Sequence, residues 1–160
     1  MTATRIQFDK ISFDFQTENG PLRVVDDVSL DIRENEFICI VGPSGCGKTT
    51  LMNLLAGFAK PTEGRLTLDG KLIEGPGRDR GVIFQEYGVF PWLTVEQNIL
   101  FGLKLSGSKT LASEAESVCR KYLGLMGLTD FAKAFPKTLS GGMRQRLAIA
   151  RAYAAQPEFL

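Results

Sequence analysis

The most constraining feature of this chain is a glycine-rich octapeptide at residues 42–49, Gly-Pro-Ser-Gly-Cys-Gly-Lys-Thr. It follows Phe37–Val41, a run in which every side chain is apolar, and it precedes leucines at helical spacing within residues 51–55. The apolar run predicts a central strand covered on both faces. The leucine spacing predicts a helix that stops at Gly57. A glycine-rich loop between a buried strand and a helix is the context in which this pattern binds phosphate.

The chemistry of phosphate binding explains the spacing within the loop. Phosphate oxygens require several convergent backbone N–H donors, and glycines let the chain wrap tightly enough to supply them. We expect Lys48 to reach the β and γ phosphates and the Thr49 hydroxyl to ligate Mg²⁺. The predicted nucleotide-binding residues of the loop are Gly42, Ser44, Gly45, Cys46, Gly47, Lys48, Thr49 and Thr50. Alone, the loop indicates only a nucleotide phosphate site, because adenylate kinases, GTPases and recombinases share it.

Alternating apolar and polar residues predict two antiparallel strands before the loop, at residues 6–13 and 28–32. After the loop, Asp69-Gly70 between two short apolar runs predicts a β-hairpin. Gly81–Phe84 is a further apolar run, and it predicts a strand that ends at Gln85. These elements together predict a β-rich region around the phosphate loop.

The remainder of the chain has helical patterning. Thr94 and Gln97 form a capping box that predicts a helix start. A second helix is expected to bury Leu111, Ala115, Val118 and Tyr122, and a third to run from Ser140 to just before Pro157. Phe159-Leu160 is then expected to begin another strand. The element order predicts an α/β fold with an antiparallel β flank and a helical insertion, incomplete at its C-terminal end.

Composition limits the partners that the chain can have. Its 160 residues carry 19 basic and 18 acidic side chains, a formal net charge of +1, so charge favours neither nucleic acid nor an anionic membrane surface. No apolar stretch is long enough to span a bilayer, and the first five residues lack the apolar core that a signal peptide is expected to have. Three cysteines without metal-ligand spacing fit a reducing cytosol. The absence of histidine removes the commonest general base.

A second motif, Leu-Ser-Gly-Gly-Met-Arg-Gln-Arg at residues 139–146, narrows the interpretation. Ser140 is a candidate helix N-cap, and Gly141 and Gly142 leave backbone donors exposed at the positive helix end. With the upstream phosphate loop, this segment resembles the signature motif of ABC ATPases. The resemblance implies a P-loop NTPase fold of the ABC ATPase type, with a RecA-like core. It divides the chain into residues 1–86 (β flank and P-loop core), 87–140 (helical insertion) and 140–160 (signature helix and the start of the next strand).

The same resemblance implies roles for further residues. Two subunits would pack head to tail, so that the phosphate loop of one and Ser140, Gly141 and Gly142 of the other hold one ATP. Gln85 is similar to the family's Q-loop glutamine, which ligates Mg²⁺ or orients water and acts with Lys48 in hydrolysis. Phe15 matches the aromatic residue that stacks on adenine, with Phe13 as the competing position.

Two segments, Gly75–Gln85 and Phe90–Val95, are similar to ATP-binding subunits of nitrate, sulfonate and taurine importers. The resemblance therefore implies a transmembrane permease as second partner, no nucleic acid, and a peripheral position on the cytoplasmic face of the membrane. Phe90, Trp92 and Leu93 are candidates for apolar contacts with that permease. Packing within the helical insertion is the alternative role for these side chains.

In the family, the strand that starts near Phe159 continues to an aspartate for Mg²⁺ and a glutamate that polarises water, and a histidine follows. None of these three residues lies within this chain, and Glu158 precedes the strand. We therefore expect the full subunit to hydrolyse ATP and these 160 residues alone to bind ATP weakly with negligible turnover. Two alternatives stay open: an ABC-type ATPase head of a DNA-repair or chromosome-structure protein, and a regulatory nucleotide binder that does not hydrolyse ATP.

Overall fold

A computed structural model of the chain describes residues 3–105 and 114–160. The chain divides into two compact units, one ending at Gly77 and the other beginning at Arg78. The three-part division at residues 86 and 140 stays a prediction. The strands are β1 (Thr4–Thr17), β2 (Gly20–Arg33), β3 (Glu63–Leu68) and β4 (Lys71–Leu72), and the helices are α1 (Lys48–Ala56), α2 (Val95–Leu105), α3 (Ala115–Leu125) and α4 (Gly141–Ala154).

The first unit is built on a four-stranded antiparallel sheet in the order β2-β1-β3-β4. Both predicted N-terminal strands are confirmed and are longer than the alternating patterns alone indicated. The hairpin at Asp69-Gly70 is also confirmed, since both residues have positive φ (49° and 74°), as a tight hairpin turn requires. Apolar residues of the sheet and one leucine of α1 form the core of this unit: Ile6, Phe8, Ile11, Val25, Leu54, Leu66 and Leu68.

Helix α1 follows the phosphate loop, as the leucine spacing predicted. It ends at Gly57, which has a φ of 80° and donates its N–H to the Leu54 carbonyl over 3.0 Å. Leu54 is fully buried and α1 lies against β2. The helix is therefore fixed on the sheet, and its N-terminus is placed where β2 passes the loop.

The prediction of a central strand over Phe37–Val41 is wrong. These residues pair with no strand in the described part of the chain, and the side chains of Phe37 and Val41 are 92% and 83% exposed. Hydrophobic composition alone does not make a strand, because its backbone groups need partners on neighbouring strands. The four strands that do pair in this unit form a separate antiparallel sheet.

The strand predicted over Gly81–Phe84 is likewise not formed. One parallel bridge joins Arg80 to Phe159, flanked by hydrogen bonds from Gly81 N–H to Phe159 O (2.7 Å) and from Phe159 N–H to Asp79 O (3.0 Å). This bridge is a single step of the strand that Phe159-Leu160 was expected to begin. Among the described residues, no strand extends this single bridge.

The second unit is mainly helical, and its helix starts follow the predicted capping. At the start of α2, Thr94 N–H donates to the Gln97 side-chain oxygen (2.9 Å) and Gln97 N–H donates to the Thr94 hydroxyl (3.3 Å), which confirms the capping box. Of the face predicted for the next helix, Ala115, Val118 and Tyr122 pack against the core, and Leu111 lies outside the described residues. The core comprises Val95, Ile99, Leu103, Cys119, Leu123, Leu128, Leu139, Leu147, Ala150 and Ala154.

Candidate nucleotide-binding site

The phosphate loop closes tightly against β2 in the first unit. Gly45 and Gly47 have φ values of 83° and 92°, in the left-handed region that favours glycine. A Cβ added at Gly47 would lie 2.8 Å from the Val24 carbonyl oxygen, so the backbone here also leaves no room for a side chain. Steric closeness and backbone conformation thus both require glycine immediately before α1.

Lys48 begins α1 and its ammonium folds back over the loop. Its Nζ donates to the carbonyl oxygens of Gly42 (2.8 Å) and Pro43 (2.6 Å) and lies 3.6 Å from the Cys46 sulfur. A positive charge is therefore held beside the loop at the positive end of the helix dipole. The adjacent Thr49 is exposed, whereas Thr50 is buried beneath the helix.

The start of α1 has no side-chain cap. Gly47 is its N-cap residue, no side chain accepts a hydrogen bond there, and no acidic residue lies in the first turn. The first N–H groups of a helix have no partner within the helix. Together with the Lys48 ammonium they form a cationic donor set suited to a polyphosphate. An exposed threonine hydroxyl beside it suits Mg²⁺, which typically takes few protein ligands along with substrate phosphates.

The aromatic pair on β1 belongs to the same unit as the loop. Phe15 pairs with Leu22 and Phe13 pairs with Val25, whose methyl group lies 3.6 Å from a Cβ position on Gly47. The two phenyl rings meet edge to face, with centroids 4.9 Å apart. Phe15 is 47% exposed and Phe13 is half-buried, so Phe15 has the freer face. Its assignment to adenine stays a prediction.

An arginine-centred ion cluster supports the strand that carries these rings. Arg23 bonds the Asp14 carboxylate (2.9 Å), the Glu63 carboxylate (2.6 Å) and the Asp26 carboxylate (3.1 Å). The Arg23 hydrogen bond holds the pKa of Asp14 below its ordinary value. The cluster joins β1, β2 and β3 beside the aromatic pair.

Gln85 and the Ser140 motif lie in the second unit. Gln85 is exposed on an irregular segment. Ser140 caps α4, because its hydroxyl oxygen accepts the Met143 N–H over 3.3 Å. No acidic residue lies in the first turn of α4, and Gly142 is exposed. The cap is as predicted, and the role of this helix start in nucleotide binding stays a prediction.

Tyr87 brings the Gln85 segment to the start of α4. Its hydroxyl lies 3.3 Å from a Cβ position on Gly141, and the Arg144 guanidinium sits 5.4 Å from the centre of its ring. Arg144 in turn donates to the Leu139 carbonyl over 2.6 Å. Sequence reasoning missed Tyr87, because only the fold shows that its ring reaches residues more than fifty positions away.

Asn98 is a second residue that the sequence did not single out. It is fully buried, its side-chain oxygen accepts the Phe90 N–H (2.8 Å), and its amide nitrogen donates to the carbonyls of Phe90 (3.1 Å), Leu93 (3.1 Å) and Thr94 (2.9 Å). The segment at residues 90–94 is thereby held in one conformation, with Trp92 70% exposed. A polar residue next to Val95 and Ile99 on the buried face of α2 was the available signal.

Arg151 on α4 supports the same segment from below. Its guanidinium lies 4.8 Å from the centre of the Phe90 ring, and burial lowers the pKa of this arginine. One guanidinium nitrogen is buried without a hydrogen-bond partner among the described residues. The Phe90 ring is thus a close neighbour of this buried charge.

The family model described as ABC transporter matches residues 25–160, which is most of the chain. This chain belongs to the ABC transporter family. A relative from Brucella abortus, named as an ATP-binding protein, is 52% identical over 152 residues, which cover 94% of this chain and 58% of that protein. The bicarbonate transport ATP-binding protein CmpD of Synechocystis is 42% identical, with 99% of this chain and 56% of that protein covered. The nitrate import ATP-binding protein NrtD of Synechococcus elongatus is 44% identical, with 97% and 57% covered.

The fold comparison agrees with the family. A solved dimeric ATP-binding cassette in a post-hydrolysis state, bound to ADP and phosphate, matches with a TM-score of 0.85 and 31% identity, covering 95% of this chain and 70% of that chain. The predicted P-loop NTPase fold of the ABC ATPase type is therefore confirmed as a partial domain. The family member described here spans a little over half the length of its curated relatives. Among the described residues, no helix has the length and hydropathy needed to cross a membrane.

Proposed function

We propose that this chain is the nucleotide-binding part of an importer's ATPase subunit, which binds Mg-ATP and, as the full subunit, hydrolyses it to drive uptake of a small solute. The observation that carries the proposal is the Lys48 ammonium held over a glycine loop at the uncapped start of α1. A side-chain cap would consume the donors that a phosphate needs. Their availability favours anion binding over a merely structural loop.

The remaining residues take roles around that anion. Backbone donors of Gly42, Ser44, Gly45, Cys46 and Gly47 cradle the phosphates, with Thr50 buried behind them, and Phe15 stacks on adenine. Lys48 neutralises charge that develops on the γ-phosphate, and Gln85 orients the attacking water. Mg²⁺, held by Thr49 and Gln85, would neutralise phosphate charge when bound.

A second subunit completes each site. Ser140, Gly141 and Gly142 begin a helix whose first turn has no acidic residue, so its positive end can face the phosphate held by a partner. A head-to-tail dimer of two such subunits is the arrangement that we propose. The similar solved cassettes are themselves described as dimeric, which supports it.

A transmembrane permease is the second partner that we propose, with the subunit lying peripherally on the cytoplasmic face of the membrane. Exposed Trp92 beside Phe90 and Leu93, on a segment made rigid by Asn98, supplies an apolar surface for that contact. The relatives named for nitrate import and bicarbonate transport favour a small anion as solute, with nitrate, sulfonate or taurine as candidates.

Nucleotide-dependent melting of the full-length subunit tests the proposal. We expect Mg-ATP and Mg-ADP to raise the melting temperature, and the full subunit to release phosphate from ATP. The 160-residue chain should bind but show negligible turnover, since loss of a general base costs about 10²–10⁴-fold in rate. A full-length subunit whose melting is indifferent to both nucleotides would refute the proposal.

A further inference from the structure

The segment that follows Gln85 makes an uncommon left-handed turn. Tyr87 and Gly88 have consecutive positive φ values, 62° and 57°. The turn is closed by hydrogen bonds from Tyr87 N–H to Phe84 O (3.1 Å) and from Gly88 N–H to Glu86 O (2.7 Å). A bulky aromatic residue rarely adopts this conformation, and it persists only where its surroundings impose it.

The contacts of the tyrosine show what the turn achieves. Its ring lies under Arg144, with 5.4 Å between the guanidinium carbon and the ring centre, and its hydroxyl reaches the backbone at Gly141. Arg144 is itself fixed by the Leu139 carbonyl. The side chain two residues after Gln85 is therefore packed on the first turn of the Ser140 helix.

A second attachment keeps the segment on the same helix. Arg151 covers the Phe90 ring at 4.8 Å, and its guanidinium would lie 3.5 Å from a Cβ at Gly88. Arg144 and Arg151 are seven residues apart, about two helical turns, so they project from one face of α4. Residues 87–90 are thus held along that face at two points.

We propose that Tyr87 is a positioning residue that couples the two nucleotide sites of the dimer. This inference rests on the proposed function, in which Gln85 serves the nucleotide bound by its own subunit and Ser140 serves the nucleotide bound by the partner. Gln85 and Tyr87 are joined by two peptide bonds, and the Tyr87 side chain packs directly against Gly141. In this proposal, the Tyr87 contact is the link through which Gln85 and the start of α4 affect each other.

Nucleotide-driven association of the full-length subunit tests the coupling. Dimerisation constants are measured by analytical ultracentrifugation with Mg-AMP-PNP for Gln85→Ala, Ser140→Ala and the double variant, in wild-type and Tyr87→Ala backgrounds. In the wild-type background, we expect the double variant to depart from the product of the single effects by about 5-fold or more, the lower end of measured couplings. In the Tyr87→Ala background the departure should fall within about 2-fold, as for independent sites.

Tyr122→Ala is the matched control, because Tyr122 is another half-buried tyrosine of the same unit, on α3, and its hydroxyl donates to the Tyr153 carbonyl on α4 over 3.2 Å. It should leave the non-additivity intact even if it lowers the melting temperature. The inference is overturned if the non-additivity survives Tyr87→Ala, if it is absent from the wild type, or if Tyr122→Ala removes it equally. A wild-type subunit that does not bind AMP-PNP would instead refute the proposed function.

Discussion

The starts of α1 and α4 solve the same electrostatic problem in opposite ways. Both present the positive end of a helix with no acidic residue in the first turn. At α1 the N-cap is Gly47, without a side-chain acceptor, and the next residue is Lys48. At α4 the Ser140 hydroxyl already accepts one backbone donor, and Arg144 is occupied by Leu139 O and the Tyr87 ring.

The difference teaches which site can act alone. The start of α1 combines free backbone donors with an ammonium, so it can hold an anion by itself. At the start of α4 the Ser140 hydroxyl already accepts one of the backbone donors, which predicts weaker binding of a free phosphate there. A role at α4 then depends on a nucleotide already held by another loop.

The largest effect in this comparison is expected from Lys48→Ala. At nucleotide concentrations about 100 times the Kd, ligand binding stabilises a protein by about 2.7 kcal/mol, and this variant should lose most of that stabilisation. Differential scanning fluorimetry with and without Mg-ATP measures it. Lys60→Ala, at an exposed lysine of the same unit, is the control and should keep the full shift. An unchanged shift in Lys48→Ala would mean that α1 is not the primary anion site.

Gly47→Ala should act on stability as well as on binding. A left-handed conformation costs a non-glycine residue about 1–2 kcal/mol, and the new Cβ would also meet the Val24 carbonyl oxygen at 2.8 Å. Gly70→Ala isolates the first cost, because Gly70 has a φ of 74° and nothing within 4 Å of its Cβ position. Urea unfolding should show a larger loss for Gly47→Ala. Equal losses would contradict the close packing of the loop on β2.

Ser140→Ala tests whether the start of α4 acts in nucleotide-driven dimerisation. Removing an N-cap typically costs about 1 kcal/mol, so the free energy of unfolding should fall modestly while nucleotide binding to the separate subunit is unaffected. Thr94→Ala removes the cap of α2 and should cost a similar amount. Only Ser140→Ala should weaken nucleotide-driven dimerisation. If both variants weaken it alike, α4 has no special role at the interface.

The smallest expected effect is on the pH dependence of the free energy of unfolding, and it arises from Asp14 in the β1–β2 hairpin. The pKa of Asp14 is lowered by Arg23, so the carboxylate stabilises the folded state above its unfolded pKa, near 4. That contribution is lost as the pH falls from about 4 through the lower folded pKa. Unfolding free energies measured at a series of pH values should decline less steeply there in Asp14→Asn. An identical decline would exclude this carboxylate as the source.

Local rules predicted much of this molecule from sequence. The Asp69-Gly70 hairpin, the Thr94–Gln97 capping box and the Ser140 cap depend on neighbours within a few residues, and all three are confirmed. The prediction of the phosphate loop also depended on local sequence, because its glycines and its lysine lie within eight consecutive residues. The structure adds the reason for Gly47, namely its contact with Val24.

Features that depend on distant partners were the ones missed or wrong. The apolar residues Phe37–Val41 read as a strand, but strand pairing needs backbone partners that a sequence pattern does not supply. Asn98 and Tyr87 carry no motif of their own, and their roles arise from contacts made after α2 and α4 pack. The packing of Tyr87, two residues after Gln85, on the first turn of α4 likewise became visible only in the folded chain.

The support that Asn98 gives to residues 90–94 has a practical consequence. The chain contains a single tryptophan, Trp92, which is 70% exposed and stacks at a tilt on Phe90 with centroids 5.5 Å apart. Its indole emission therefore comes from one defined place on the surface, without an added dye. A blue shift of that emission on mixing this 160-residue chain with the proposed permease partner in detergent would report burial of this segment directly, and the same signal would follow its release in real time.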